Sequence, residues 1–168
     1  MATHAALLRG VSATLVKNAE LVRAFEAAGF GEVCTVFSSG NVIFEAKPSA
    51  RIEDRIETAM RSELGRVFAP IVRSIDELRA LVAADPFAKL RVPAGAKRVV
   101  SFFREEPKPA IRLPASRDGA TIHAVRGREA FTSYLRGPST PVFMVLIEQA
   151  FGKAVTTRTW DTILKITR

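Results

Sequence analysis

Three groups of side chains in this chain have the types and the spacing to do chemistry, and in each case the chemistry is recognition of an anion. Arg9 with Ser38, Ser39 and Asn41 offers a guanidinium, two hydroxyls and an amide, a set able to hold a phosphate or a carboxylate. Arg104, Arg126 and Arg128 offer three planar guanidinium forks, which match phosphate oxygens. The tail from Gly152 to Lys165 holds Lys153, Arg158 and Lys165 together with four threonines and the only tryptophan, Trp160. Each group also has a plainer reading. Ser38 to Asn41 are turn-forming residues, and Arg9 can pair with a surface acid such as Glu32. In the tail, the hydroxyl of Thr157 or Thr159 can cap a helix while Trp160, Ile163 and Leu164 pack inward.

Catalytic signatures are missing from the same inventory. The sequence contains no nucleophile elbow, no phosphate-binding P-loop and no dinucleotide fingerprint. His4 and His123 fall in strand-like stretches without a Cys or His partner at ligand spacing, so neither a metal nor a cofactor is expected. Glu53, Asp54 and Glu57 read as the solvated side of a helix. Cys34, the single cysteine, cannot form an internal disulfide, and its apolar surroundings predict a buried small hydrophobe.

The elements that position these groups follow from composition and periodicity. A chain of 168 residues with 48% hydrophobic content fits one large domain or two small halves with buried cores. No apolar run approaches the roughly 18 residues that would span a bilayer, and the first residues lack a charged region followed by a long apolar one. A cytoplasmic protein without a membrane partner is therefore expected. The net charge of +8 is unevenly placed: residues 1–84 hold ten Lys/Arg and ten Asp/Glu, and residues 85–168 hold fifteen and seven. That excess fits a nucleic acid or an anionic small molecule as partner, or simply a solubilising charge.

Ala5 to Arg9 reads as a buried strand. Leu21, Val22, Phe25 and Ala28 then recur at helical spacing, with Asn18 as N-cap and Gly29 past the end. Val33 to Phe37 and Val42 to Ala46 flank Ser38-Ser39-Gly40-Asn41 as a hairpin. Ile52, Ile56, Met60 and Leu64 share one face of a second helix. Pro70 to Arg73 is a short strand, and Ser74-Ile75-Asp76-Glu77 is a capping box opening a third helix. After residues 85–96, which read as a linker, the order returns. Arg98 to Arg104 is a strand, Pro107 to Ala115 a proline-rich crossover, and Thr121 to Val125 with Glu129 to Tyr134 a second hairpin around Arg126-Gly127-Arg128. Pro141 to Phe151 reads as a helix opened by Pro141, although a strand from Val142 to Ile147 fits too. Val155 to Thr157 is the last strand, and the Trp160 segment the last helix. Short matches in common order support a repeat: Leu7-Leu8-Arg9 with Phe102-Phe103-Arg104, Ser39-Gly40-Asn41 with Arg126-Gly127-Arg128, and Arg73-Ser74-Ile75-Asp76 with Arg158-Thr159-Trp160-Asp161. The expected fold is α+β: two ferredoxin-like (split βαβ) halves in tandem, 1–84 and 97–168, each followed by an extra helix.

The residues Ala6-Leu7-Leu8-Arg9-Gly10, Ala28-Gly29-Phe30, Ser39-Gly40-Asn41-Val42-Ile43-Phe44, and Gly152-Lys153 with Thr156-Thr157-Arg158, Trp160, Thr162 and Leu164-Lys165 carry a resemblance. The chain resembles the bacterial family called domain of unknown function 1697. That resemblance implies a compact α/β protein with ferredoxin-like halves and no established activity. It also implies a glycine-rich polar loop after the first strand, where this chain has Val11-Ser12-Ala13-Thr14, so a backbone amide cradle is not expected there.

The expected function is non-catalytic binding of nucleic acid or another polyanion through the basic second half. The alternative is an enzyme acting on a small phosphorylated or carboxylated substrate held near Arg9 and the Ser38 to Asn41 turn. The aromatic platform of RNA-binding sheets is absent, because Phe44, Phe102 and Phe103 lie in apolar runs that read as core.

Overall fold

The computed structural model of the chain describes residues 1–37, 40–137 and 142–168. Among the described residues there are five helices and nine strands, a mixed α+β architecture with two antiparallel sheets. The chain divides into two compact units, Met1–Arg79 and Ala80–Arg168. Residues 80–84 are uncharged, so the whole positive excess belongs to the second unit. Among the described residues, no helix is long and apolar enough to cross a membrane.

The first unit runs β1 (Ala2–Leu8), α1 (Asn18–Ala27), β2 (Gly31–Thr35), β3 (Asn41–Ala46), α2 (Ile52–Leu64) and β4 (Pro70–Ser74), and ends in the start of α3 (Ile75–Ala84). The strand order is β2-β3-β1-β4, with β3 antiparallel to both β1 and β2. One sheet face, carrying Ala6, Leu8, Val42 and Phe44, packs with Leu21, Ala24 and Phe25 of α1 and with Ile52, Ile56 and Met60 of α2. The four-residue spacing on α2 thus buries the stripe its periodicity predicts.

Three details depart from expectation. The N-cap position of α1 is Lys17, not Asn18, because Glu20 accepts from the Lys17 backbone N–H at 2.7 Å and closes the first turn itself. Cys34 is exposed rather than buried. It pairs with Ile43, on the sheet face away from Phe44, and lies on an edge strand whose register shifts between Gly31 and Cys34. Glu53 is not merely solvated: its carboxylate accepts the Val72 backbone N–H at 2.9 Å, on the edge strand β4.

The second unit holds the rest of α3, then β5 (Lys97–Phe102), β6 (Ala115–Arg117), β7 (Ala120–Arg126), β8 (Glu129–Tyr134), α4 (Val142–Phe151), β9 (Thr156–Thr159) and α5 (Trp160–Ile166). Its strand order is β6-β7-β8-β5-β9. Residues 103–114 form no helix; Pro107, Pro109 and Pro114 each remove a backbone donor that a helix interior needs. Between the two readings of residues 142–147, the helix is the observed one. Leu146, Ile147 and Ala150 pack with Ile122 and Ala130, and Pro141 lies outside the described residues. Within residues 85–96, Phe87 is 4% exposed, with ring centroids 5.6 Å from Phe131 and 5.4 Å from Trp160.

Registers align the two sheets. Ala5 sits opposite Arg73 as Val100 sits opposite Arg158. Leu8 donates to the Gly40 carbonyl at 2.9 Å as Phe103 donates to the Arg128 carbonyl at 3.1 Å. The counterpart of Gly40 is therefore Arg128, one residue later than the Gly40 to Gly127 match read from sequence.

Candidate functional site

Backbone pairing gathers the arginines of the second unit. Phe102, the last residue of β5, lies opposite Glu129, which in turn lies opposite Arg126. Arg104, two residues past β5, and the Arg126-Gly127-Arg128 turn consequently share one end of the sheet. Arg128 Nη1 donates to the Arg104 carbonyl at 3.4 Å. The Arg126 guanidinium is 5.7 Å from the Phe131 ring centroid, and the side chain is exposed. Thr156, the first residue of β9, pairs with Phe102, which brings the exposed Lys153 to the same end through the turn before β9. Carboxylates are present there too, with Glu129 half-buried and Glu105 and Glu106 exposed.

Arg158 stands apart from this group. It sits within β9 opposite Val100, and its Nη1 donates to the Thr157 carbonyl at 2.9 Å. Burial lowers its pKa to about 10, since desolvation disfavours the charged form. Arg73 is its counterpart: 1% exposed, with Nη1 donating to the Val72 carbonyl at 3.1 Å. An arginine one residue ahead of the helix cap, fully buried at Arg73 and half-buried at Arg158, is thus a feature of both strand-to-helix junctions. Lys165 is exposed in the last turn of α5. Trp160 is 4% exposed, and the Thr159 hydroxyl accepts the Thr162 N–H at 3.3 Å, so the tail is a capped and anchored junction. Ile163 and Ile166 are buried beside it, whereas Leu164 is only half-buried.

The first-unit group is more dispersed. Arg9 is half-buried just past β1, and its backbone N–H donates to the Ala69 carbonyl at 3.1 Å. Glu32 is no partner for it. β2 starts beside the opposite end of β1, so the two residues are roughly 20 Å apart at the usual rise per residue. Asn41 is 1% exposed and its amide donates to the Val36 carbonyl at 3.2 Å, inside the hairpin. Ser38 and Ser39 lie outside the described residues. Val11 seals this end: a Cβ built on Gly40 would lie 2.8 Å from Val11 Cγ2.

Sequence reasoning passed over a cleft of about 600 Å³ along α2, with Ala27 and Ala28 on one side and Arg51, Asp54, Arg55, Thr58 and Glu63 among its walls. Arg9, Lys17 and Asn41 are not part of its lining. The signal for it was the i, i+4 spacing of Arg51 and Arg55, which puts both on one helix face.

A family model described as protein of unknown function (DUF1697) matches residues 1–131. The chain belongs to this family. The matched range of the DUF1697 protein includes the first sheet and the Arg104, Arg126 and Arg128 end of the second, while Lys153, Arg158 and Lys165 fall beyond it. A solved structure of similar fold is the conserved bacterial protein SP0830 from Streptococcus pneumoniae. It is 18% identical, with a TM-score of 0.73 over 99% of this chain and 97% of that one. No curated protein matches the DUF1697 chain.

Proposed function

We propose that the protein is a non-catalytic binding module that holds nucleic acid by its phosphate backbone at the arginine end of the second sheet. The observation that supports this reading is the convergence of Arg104, Arg126, Arg128 and Lys153 at one sheet end, on a unit with fifteen cations and seven anions. Contact is to phosphates rather than bases, because Phe44, Phe102 and Phe103 are buried and unavailable for stacking. A small-anion enzyme site at Arg9 has less in its favour, as the Asn41 amide is taken up by its own hairpin.

The fold reading that accompanies it is a tandem of ferredoxin-like halves. Its support is the order β7-β8-β5-β9 in the second sheet, which repeats β2-β3-β1-β4 in the first at equivalent register, with β6 added and the first crossover helix replaced by residues 103–114.

Fluorescence anisotropy with a labelled 20-mer of single-stranded DNA tests the binding, at 50 and at 200 mM salt. Affinity falls with a log–log slope of about −0.7 for each phosphate engaged, so Arg104→Gln and Arg126→Gln each flatten the slope by roughly that amount. Absence of binding at 50 mM salt, or a slope that both substitutions leave untouched, removes the proposal.

A further inference from the structure

We propose that the cleft along α2 is a binding site for a free α-amino acid with a basic side chain, a site independent of the arginine end of the second sheet. Its volume of about 600 Å³ lies within the roughly 300–1,000 Å³ typical of small-molecule sites. Its walls carry both signs of charge, Arg51 and Arg55 against Asp54 and Glu63. Among the described residues, none of these four side chains enters an ion pair. The contrast along the same helix is informative. Glu53, facing β4, spends its carboxylate on the Val72 N–H, while neighbouring Asp54 lines the cleft and, among the described residues, its carboxylate is uncommitted.

Arg55 is fixed in place before any ligand arrives. Its Nη2 donates to the Ala28 carbonyl at the end of α1, 2.7 Å away, and its guanidinium lies 4.5 Å from the Phe30 ring centroid. Those two contacts hold the plane of the fork and use one of its five donors. Among the described residues, no other hydrogen bond engages that guanidinium. A carboxylate docking there meets Arg55 and Arg51 in the first turns of α2, where the positive end of the helix dipole adds to the attraction. The α-ammonium is then within reach of Asp54. The hydroxyl of Thr58 does not compete for that carboxylate, since it donates to the Asp54 backbone carbonyl at 2.9 Å.

Charge of one sign alone is poorly matched to these walls. A simple anion meets Asp54, and a simple cation meets two arginines. Glu63 stands eight residues beyond Arg55 on α2, about 12 Å along the axis, where an extended side chain bearing a second positive charge ends. Lysine and arginine have that combination of charges, and their extended length of about 7–9 Å plus a hydrogen-bond distance of about 2.9 Å at each end spans that separation.

The experiment is an NMR titration of the full chain with L-lysine, following the backbone amides of Ala28, Gly29 and Ala59. 1,5-Diaminopentane, which lacks the carboxylate, and acetate, which lacks the amines, serve as controls. L-Lysine is expected to give saturable shifts, with a Kd at least tenfold below that of either control. Arg51→Gln and Asp54→Asn are the informative variants, because both side chains are exposed and neither closes a helix end as Arg55 does. Each is expected to raise the Kd at least fivefold while the rest of the spectrum stays that of the folded protein. Shifts that do not saturate, equal binding of 1,5-diaminopentane, or an unchanged Kd in both variants would overturn the proposal.

Discussion

At Arg73-Ser74-Ile75 and again at Arg158-Thr159-Trp160, a strand passes straight into a helix, and the two junctions reach the same geometry by different means. The first is closed by reciprocal hydrogen bonds: Ser74 Oγ accepts the Glu77 N–H at 3.0 Å, and Glu77 Oε2 accepts the Ser74 N–H at 2.7 Å. The second has no glutamate three residues on. The Thr159 hydroxyl caps it through a longer bond of 3.3 Å, and α5 is only seven residues long against ten for α3. A helix so short is not stable by itself. What holds it is burial, with the Trp160 ring packed edge-on against Phe87 where the first junction has only Ile75. Weaker local hydrogen bonding is offset by a larger anchor.

Replacing the anchors is the most forceful way to break this comparison. Trp160→Ala is expected to cost about 3–5 kcal/mol, and Ile75→Ala less, as read by urea unfolding. Equal losses at the two sites would show that the ring adds nothing beyond aliphatic burial. Gly40 and its counterpart Arg128 give the next effect. Gly40 has φ +74° and no room for a Cβ beside Val11, so Gly40→Ala should cost about 1–3 kcal/mol. Adding Val11→Ala should restore part of that loss in the same measurement. Then come the caps. Ser74→Ala removes a capping box and Thr159→Ala a single bond; each should cost about 1 kcal/mol, with the serine the larger, in paired denaturation curves.

The smallest effect is in pH. His123 Nε2 lies 2.8 Å from Ser133 Oγ, and desolvation lowers its pKa below 6.5. Between that lowered value and 6.5 the unfolded chain binds more protons than the folded one, so stability rises with pH across the window and levels off above it. Comparing urea midpoints at pH 5 and pH 7.5 should show this rise in the natural chain and a smaller one in His123→Gln.

Much of the architecture was legible because it rests on period and punctuation. The Ile52, Ile56, Met60 stripe, the Ser74 to Glu77 box and the proline content of residues 103–114 each dictate a local outcome that nothing distant overrides. The junction role of Trp160 was readable from its match with Ile75. What could not be read depended on neighbours far along the chain. The exposure of Cys34 follows from a bulge on an edge strand, and the engagement of Glu53 from a partner on another element. Of the candidate site, the gathering of Arg104, Arg126 and Arg128 followed from hairpin order, whereas full burial of Asn41 and half-burial of Arg158 within β9 set those two apart from it. The cleft beside Arg55 escaped notice because its two walls come from helices separated in sequence, and composition does not report such an approach.

The bond from Glu53 to Val72 has a consequence for how the protein behaves in concentrated solution. An outer strand with vacant backbone donors is a template on which another molecule can build, the first step toward self-association. A helix residue nineteen positions earlier occupies one of those donors on β4. Part of the safeguard against strand addition by other copies is therefore carried by the helix, not by the strand itself.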